Sequence, residues 1–310
     1  VGAVESLPLI TSSILSKKIA SGLNALVLDV KTGNGSFNKT EIVARKLAES
    51  LVDVAKGAGL KCEAILTDMN QVLGHSAGHV LEVIETIEYL TNSHKNSRLE
   101  EITNKLASSL LVQIHGYTEE EALKKINKVV DSGKAAEKFE MMVGELGGDK
   151  KILSEYNTIL NTTKYIGEIN SDTSGFLVDI KTRELGLTLI EMGGGRKQIK
   201  DSINYSVGFS DVASLNSKIA KGMTLMKVHT YDEESFKSIP VISAGGVSNG
   251  SELQQFLSLG ACGVSIGTPF IATHEADISD DYKNSSDSKN NLSSKNYNFF
   301  ELDNLNSKED

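Results

Sequence analysis

The fold is decided by the stretch ALVLDVKTGNGSFNKTEIVARKLAESLVDVAKGAGLKCEAILTDM, which covers residues 25–69. Residues 25–31 and 61–69 are apolar, β-rich runs of the kind that form buried parallel strands. Between them, residues 39–59 follow a glycine-rich turn and carry the pattern of a helix. A strand, a helix and a second strand form a βαβ unit, which predicts an α/β fold with helices on a parallel sheet.

The flanking segments extend this prediction. Residues 8–21 are predicted to form a helix, because they present a broad apolar face, begin with proline and are followed by glycine. Residues 78–156 are helical in pattern, with Thr118 as the N-cap of a helix that has acidic residues in its first turn. From Lys164 short strands alternate with turns, which is typical of a small β-rich domain.

The composition limits the possible partners. The net charge is −9 and the lysines are spread along the chain, so the basic patch that nucleic acid requires is missing. No apolar run approaches the roughly 20 residues needed to span a bilayer. The only cysteines, Cys62 and Cys262, lie in apolar runs and are interpreted as buried thiols. With no recognisable signal peptide, the sequence predicts a cytoplasmic protein without nucleic-acid or membrane partners.

Two patterns are candidate binding elements. Ser13 and Lys17 lie four residues apart, so on a helix they share one face, where a hydroxyl and an ammonium could grip a flat ring with carbonyl groups. The spacing alone favours a solvated helix face. The turn TGNGSF, residues 32–37, would place backbone N–H groups at the carboxyl end of a parallel sheet, where ligands gather in open α/β folds.

Three stretches together resemble the thymidine phosphorylases and related pyrimidine nucleoside phosphorylases. They are VESLPLITSSILSKKIASGLNALVLDVKTGNGSF, LTDMNQVLGHSAGHVLEV and KTRELGLTLIEMGGGR, and the resemblance extends from Val1 to about Phe236. It implies phosphorolysis of pyrimidine deoxynucleosides to the free base and 2-deoxyribose 1-phosphate, by a homodimer that needs no cofactor and takes phosphate as co-substrate. It also implies that Ser13 and Lys17 contact the pyrimidine ring.

Parts of the family pattern are missing or altered. The Lys–His–Ser loop that holds phosphate in the family is absent from all 310 residues, and its equivalent would lie upstream of Val1. We therefore expect no phosphate-binding residue in this chain and no phosphorolysis by it alone.

The family resemblance also touches on metal binding. Related bacterial enzymes place a cation at positions matching Leu73, Ser76 and Glu85, but we prefer an ordinary helix entry with Glu85 on a solvated face. His75 and His79 lack a carboxylate or cysteine partner, so we predict no metal site and expect turn-packing and surface roles for them.

A second resemblance begins near the carboxyl end. IPVISAGGVSNGSELQQFLSLGACGVSIGTPFIATHEA, from Ile239 to about Glu275, resembles nitronate monooxygenases, which are flavin mononucleotide barrels. The resemblance implies that the flavin phosphate would be met by Gly245, Gly246, Gly267 and Thr268. The remaining strands of such a barrel are absent, so FMN binding is kept only as the alternative. The join near residues 236–239 suggests a fusion of two coding segments.

The prediction is thus a chain of five segments. They are a remnant of the helical lobe (1–22), the α/β phosphorylase domain with its helices (23–163), the β-rich phosphorylase C-terminal domain (164–236), a βαβ fragment of a flavin barrel (239–275) and a disordered tail (276–310). Three functions remain open: a pyrimidine nucleoside phosphorylase, a flavin-dependent oxidoreductase, and a non-catalytic chimaeric fragment.

Overall fold

The computed structural model describes residues 6–171 and 174–237 in full, and the backbone of residues 242–244, 263–265 and 300–304. The chain divides into two compact units, of which the first ends at Thr162 and the second begins at Thr163.

Unit 1 is an α/β unit with two strands and seven helices among its described residues. In chain order its elements are α1 (Leu7–Ala20), β1 (Ala25–Thr32), α2 (Glu41–Gly57), β2 (Lys61–Asp68), α3 (His79–Leu90), α4 (Ser97–His115), α5 (Glu119–Asp131), α6 (Lys134–Glu145) and α7 (Ile152–Ile159).

The predicted βαβ unit is confirmed. Strands β1 and β2 are parallel and in continuous register, from Ala25 opposite Lys61 to Thr32 opposite Asp68. The helix α2 crosses over between them and turns a narrow, alanine-rich face inward, which lets it approach the sheet closely. This side of the sheet forms one core with α1 and α2, made of Leu15, Leu26, Val30, Ala44, Ala48, Leu51, Ala55, Leu60 and Cys62. Cys62 is the buried thiol that its apolar run predicted, and burial raises its pKa.

On the opposite face of the sheet, Lys61 and Glu63 of β2 contact α4. The Ser109 hydroxyl of α4 donates to Glu63 at 2.5 Å, and Lys61 Nζ donates to the Gln113 carbonyl at 3.1 Å. The period-2 alternation of strand side chains therefore gives the sheet one apolar side and one polar side, both covered by helices.

Side chains cap the amino-terminal ends of α4 and α5. Thr118 caps α5 in a capping box with Glu121, as predicted, and its hydrogen bonds lower the pKa of that carboxyl. Asn96 caps α4 by accepting from Arg98 N and Leu99 N, each at 3.0 Å.

Unit 2 is built mainly from antiparallel strands. Its elements are β3 (Tyr165–Asn170), β4 (Gly175–Ile180), α8 (Thr182–Leu189) with a π-helical turn (Ile190–Gly194), β5 (Gly208–Ser210), β6 (Lys218–Ile219), β7 (Thr224–Thr230), α9 (Glu233–Lys237), β8 (Ile242–Ala244), β9 (Gly263–Ser265) and β10 (Phe300–Asn304). The sheets have the orders β3-β7-β5, β10-β4-β6 and β8-β9.

The central strands of the two antiparallel sheets differ in burial. In β4, Leu177 and Ile180 are fully buried while Phe176 and Val178 are about half exposed. In β7, Met226 and Val228 are fully buried and pair with β3 and β5 on either side. Leu225 and His229, on the other face of β7, are also buried, so β7 is covered on both faces while β4 keeps a partly exposed face.

The carboxyl-terminal segment differs in one place from the sequence analysis. Residues 300–304 form the strand β10, paired with β4, although the whole of 276–310 was predicted to be disordered. The composition argument was applied to the tail in isolation, whereas β4 offers these residues the backbone partners that they cannot supply themselves. The other residues of that tail lie outside the described part of the chain.

The segment that resembles a flavin barrel is described only in part. Strands β8 and β9 pair in parallel, with Ile242 opposite Gly263 and Ala244 opposite Ser265. The four residues assigned to a flavin phosphate, Gly245, Gly246, Gly267 and Thr268, lie outside the described residues, and so does Cys262. Among the helices that are described, none has the length and apolar character needed to cross a membrane.

Candidate functional site

The carboxyl ends of β1 and β2 carry a compact polar cluster on the side of the sheet that faces α4. Lys31 Nζ lies 2.7 Å from Asp29 Oδ2 and donates to Thr67 Oγ1 at 2.9 Å, while the Thr67 hydroxyl donates to Asp29. Asp29 and Lys31 are two residues apart on β1, and Thr67 lies directly opposite Lys31 on β2. The lysine and aspartate side chains are each about one quarter exposed, so the ammonium is held in a fixed position at the sheet edge.

A second ion pair lies beside this cluster. Arg98, in the first turn of α4, donates through Nη2 to the Asp68 carbonyl at 2.5 Å and places Nη1 3.5 Å from the Asp68 carboxylate. Its Nε is buried and has no hydrogen-bond partner within the described residues. Arg98 therefore ties the start of α4 to the end of β2.

The glycine turn after β1 lies at the carboxyl end of the parallel pair, as predicted, and its backbone N–H groups donate to acceptors within the protein. Gly33 N donates to the Asn38 carbonyl at 3.2 Å, Gly35 N to the Met69 carbonyl at 2.9 Å, and Ser36 N to the Gly33 carbonyl at 3.0 Å. Asn34 N donates to the Asn70 side chain at 2.8 Å. The donors are used to join this turn to the loop after β2.

The conformation of Gly33 explains why glycine is needed in this turn. Its φ is +122°, and a Cβ there would lie 2.6 Å from Asn70 Oδ1 and 2.9 Å from the Asn70 backbone nitrogen. Thus the glycine permits a close approach of two loops of the protein, where the sequence analysis had predicted an approach to a ligand.

The helix α1 presents Ser13 and Lys17 on one exposed face, away from the core. The opposite face is anchored by Leu15, which is 1% exposed, and by Thr11, whose hydroxyl lies 2.9 Å from the Ser50 hydroxyl of α2. Ser13 and Lys17 are thus accessible and next to one another on a fixed helix. Their contact with a pyrimidine stays a prediction.

The loop before α3 is organised by a buried carboxylate. Glu85 is 6% exposed and accepts a hydrogen bond from His75 N at 2.8 Å, and a Cβ on Gly74 would overlap its carboxylate. The expectation that Glu85 lies on a solvated face is therefore wrong, because the tight turn needs an acceptor for its N–H group.

His75 Nε2 lies 3.5 Å from Glu85 Oε1, so the prediction that this histidine lacks a carboxylate partner is wrong. His75 packs in the turn, with its ring 5.1 Å from that of His94 in an edge-to-face arrangement, while His79 is exposed. Across the described residues, no group of three or more His, Cys, Asp or Glu side chains is arranged to hold a metal ion. Cation binding at Leu73, Ser76 and Glu85 stays an implication of the family resemblance.

In the described part of unit 2, a buried histidine of β7 contacts a partly buried serine of β5. His229 of β7 is 5% exposed, and its Nε2 lies 2.8 Å from the Ser210 hydroxyl of β5. Its Nδ1 is buried and has no hydrogen-bond partner in the described part of the chain. Desolvation lowers the pKa of His229, and nearby Lys227 adds to this effect while Asp211 opposes it.

Comparison with known proteins relates most of the chain to one enzyme family. The model described as "Glycosyl transferase family, a/b domain" matches residues 1–136, and the model described as "Pyrimidine nucleoside phosphorylase C-terminal domain" matches residues 176–243. A thymidine phosphorylase of Colwellia psychrerythraea is 42% identical over 233 residues, which are 75% of this chain and 53% of that protein.

Residues 1–136 and 176–243 are thus similar to two domains found in nucleoside phosphorylases. The chain spans about half the length of the thymidine phosphorylase that it matches. The phosphorylase C-terminal match continues to residue 243, past the join predicted near residues 236–239. The run IPVIS at 239–243 is a short apolar strand pattern, and the position of the join stays a prediction. The resemblance of the following residues to nitronate monooxygenases stays a prediction.

The sequence analysis missed the polar cluster of the phosphorylase sheet. Asp29 and Lys31 alternate with the partly buried Leu28 and the buried Val30 of β1, and this alternation at a strand end was the available signal. Thr67 and Arg98 could not be found in the same way, because their positions opposite Lys31 and beside Asp68 depend on strand register and on the docking of α4.

Proposed function

We propose that this chain is part of an enzyme that cleaves pyrimidine deoxynucleosides with inorganic phosphate, releasing the free base and 2-deoxyribose 1-phosphate. The observation that carries the proposal is the 42% identity to a thymidine phosphorylase over three quarters of the chain. The matches to the transferase and phosphorylase domain models support it in both units.

In this proposal the exposed face of α1 holds the base. As the N-glycosidic bond breaks, negative charge flows into the leaving pyrimidine and the sugar develops oxocarbenium character. Donors that contact the ring carbonyls stabilise this charge more strongly in the transition state than in the ground state. The Ser13 hydroxyl and the Lys17 ammonium are donors of this kind, and the packing of Thr11 and Leu15 fixes the helix that carries them.

The phosphate half of the reaction requires residues outside this sequence. None of the 310 residues forms a Lys–His–Ser stretch of the type that binds phosphate in the family. We propose that the chain by itself binds the base and does not complete phosphorolysis. The proposal also includes a homodimeric assembly, which sedimentation of the purified chain would test.

Two measurements on the purified chain test this function separately. The first is phosphate-dependent release of thymine from thymidine, which we expect to be absent. The second is calorimetric titration with thymine and thymidine, which we expect to show binding. Phosphate-dependent thymine release by the 310-residue chain would show that the phosphate part of the proposal is wrong.

The base-binding residues are tested with matched variants of α1. Ser13→Ala and Lys17→Ala should each weaken thymine binding by roughly tenfold, because each removes a hydrogen bond to the pyrimidine ring. Ser16→Ala and Lys18→Ala alter exposed residues of the same helix and should leave the affinity unchanged. Equal affinities in all four variants would remove Ser13 and Lys17 from the base site.

The alternative of a flavin-dependent oxidoreductase has one favourable observation, the parallel pairing of β8 and β9. Neighbouring strands of a flavin barrel pair in this way. Purified protein that carried stoichiometric flavin, visible as yellow colour, would favour this alternative. We expect none, because the resemblance covers less than two strand–helix units of the eight that a barrel needs.

A further inference from the structure

The edge of strand β4 is covered by the chain's own carboxyl-terminal segment. The two strands are antiparallel, with Phe300 opposite Ile180, Leu302 opposite Leu177 and Asn304 opposite Gly175, and a register irregularity follows Glu301. The sheet order is β10-β4-β6, so β10 is the outer strand next to β4.

The other neighbour of β4 covers only its beginning. β6 pairs with Gly175 and Phe176. The loop before β6 also bonds to Leu177: Asn216 N donates to the Leu177 carbonyl at 2.7 Å, and Leu177 N donates to the Ser217 carbonyl at 3.0 Å. For the rest of β4, residues 178–180, β10 is the strand partner that the described residues show.

The composition of β4 makes an uncovered edge hazardous. Its sequence GFLVDI is rich in β-forming residues and carries one charge, Asp179, which is paired with Lys181 at 2.7 Å. Its outward side chains Phe176 and Val178 are 42% and 48% exposed. An apolar edge of this kind pairs readily with a strand from another molecule.

The segment FELDN has the pattern of a protective edge strand. Phe300 and Leu302 alternate with the acidic Glu301 and Asp303, and charged residues on an outer strand oppose the addition of further strands. The residues before it, from 276 onward, are rich in Asn, Ser, Asp and Lys and resemble a linker.

We propose that Phe300–Asn304 is a built-in edge strand that covers β4 and prevents the β4 edges of two copies from pairing. This part of the carboxyl-terminal tail then belongs to the sheet of unit 2 and occupies the edge of β4. This inference is independent of the proposed phosphorylase function, since it concerns none of the residues assigned to the base.

The first test compares two truncations of the otherwise complete chain. A chain ending at residue 304 keeps β10, and a chain ending at residue 299 lacks it. We expect the shorter chain to exchange the amide hydrogens of residues 178–180 at least roughly tenfold faster. We also expect its mass in light scattering to rise with concentration. A synthetic peptide spanning residues 297–306 should reverse both changes. Amides of β3 and β7 serve as the internal reference, and their exchange should be the same in both chains.

The second test keeps the full chain and does not depend on the truncated chain being folded. N–H groups of neighbouring residues in a strand point to opposite edges, so only one of Leu302 and Asp303 donates towards β4. One of Leu302→Pro and Asp303→Pro should therefore reproduce the faster exchange of residues 178–180, and the other should act as its matched control. Equal exchange in wild type and in both proline variants would overturn the proposal, as would identical behaviour of the two truncated chains.

Discussion

The glycine turn after β1 and the exposed face of α1 were both predicted from the sequence as places where a ligand could bind, and the structure separates them. In the turn, each backbone donor of residues 33–36 already has an acceptor in the protein. On α1, the side chains of Ser13 and Lys17 are exposed while the opposite face is buried. A motif rich in donors is a candidate binding site only if folding leaves those donors free, and a sequence does not show this directly.

The largest decrease in stability should come from adding a methyl group at Gly33, in the turn after β1. Gly33→Ala combines a positive φ with a contact to the Asn70 backbone, so we expect the free energy of unfolding of unit 1 to fall by about 3 kcal/mol. Chemical denaturation measures this. The control is Gly57→Ala in the last turn of α2, where a Cβ meets nothing within 4 Å. There we expect no loss, and a small gain from helix propensity. Equal changes in the free energy of unfolding for Gly33→Ala and Gly57→Ala would show that the turn tolerates a side chain at Gly33.

A smaller decrease in the free energy of unfolding should follow removal of the Asn70 side chain, which joins the turn after β1 to the loop after β2. Asn70→Ala deletes the acceptor of Asn34 N and the contact with Asp68, which should lower the free energy of unfolding by about 1–2 kcal/mol. Asn157→Ala changes an exposed asparagine of α7 and should be nearly neutral in the same denaturation experiment. A neutral Asn70→Ala would mean that Asn34 N is satisfied equally well by water.

His229 is intermediate between the fully bonded turn and the exposed face of α1, because only one of its ring nitrogens has a hydrogen-bond partner among the described residues. Its pKa is lowered by burial, so the unfolded chain takes up a proton near pH 6.5 that the folded chain resists. The stability of unit 2 should therefore decrease as the pH falls below about 6.5 and be fully present above it. Thermal unfolding across this pH range measures the effect.

The matched variants for this prediction are His229→Gln and His115→Gln. The first should reduce the loss of stability in acid, because glutamine does not titrate. The second alters an exposed histidine of α4 and should leave the pH profile of unit 2 unchanged. If the wild-type and His229→Gln profiles coincide, His229 is not the group that responds to acid.

The smallest effect on stability should come from the face of α1 that was assigned to the base. Ser13→Ala and Lys17→Ala should each change the free energy of unfolding by less than about 0.5 kcal/mol, since both side chains are exposed. On the opposite face, Thr11→Ala removes a buried hydroxyl and its bond to Ser50, and should cost about 1 kcal/mol. A large loss for Ser13→Ala would mean that this face carries a structural contact.

The elements that could be predicted from the sequence are those set by local patterns. The strands at 25–31 and 61–69, the helix between them and the N-cap at Thr118 appear in the structure with ends shifted by at most two residues. Each depends on periodicity or on a side chain reaching its own backbone, and both are local properties. The family resemblance supplied the functional assignment, which no such pattern contains.

The features that escaped prediction depend on contacts between distant segments. Glu85 was placed on a solvated face because its charge was read without the turn at 74–76 that it supports. The pairing of Lys31 with Thr67 requires the register of two strands, and the pairing of residues 300–304 with β4 joins segments more than a hundred residues apart. Composition and periodicity do not record these distances.

The register of β1 and β2 has a consequence for insertions and deletions in the gene. Both strands are fixed in place, and α2 between them turns Ala44, Ala48, Leu51 and Ala55 to the core at spacings of four, three and four residues. Losing one residue within α2 would rotate every later side chain by about 100°, whereas losing seven would leave it within about 20° of its original direction. The number of residues in α2 thus fixes both the distance that the helix spans and the direction of its later side chains. We expect viable length changes here to occur in steps close to whole helical turns.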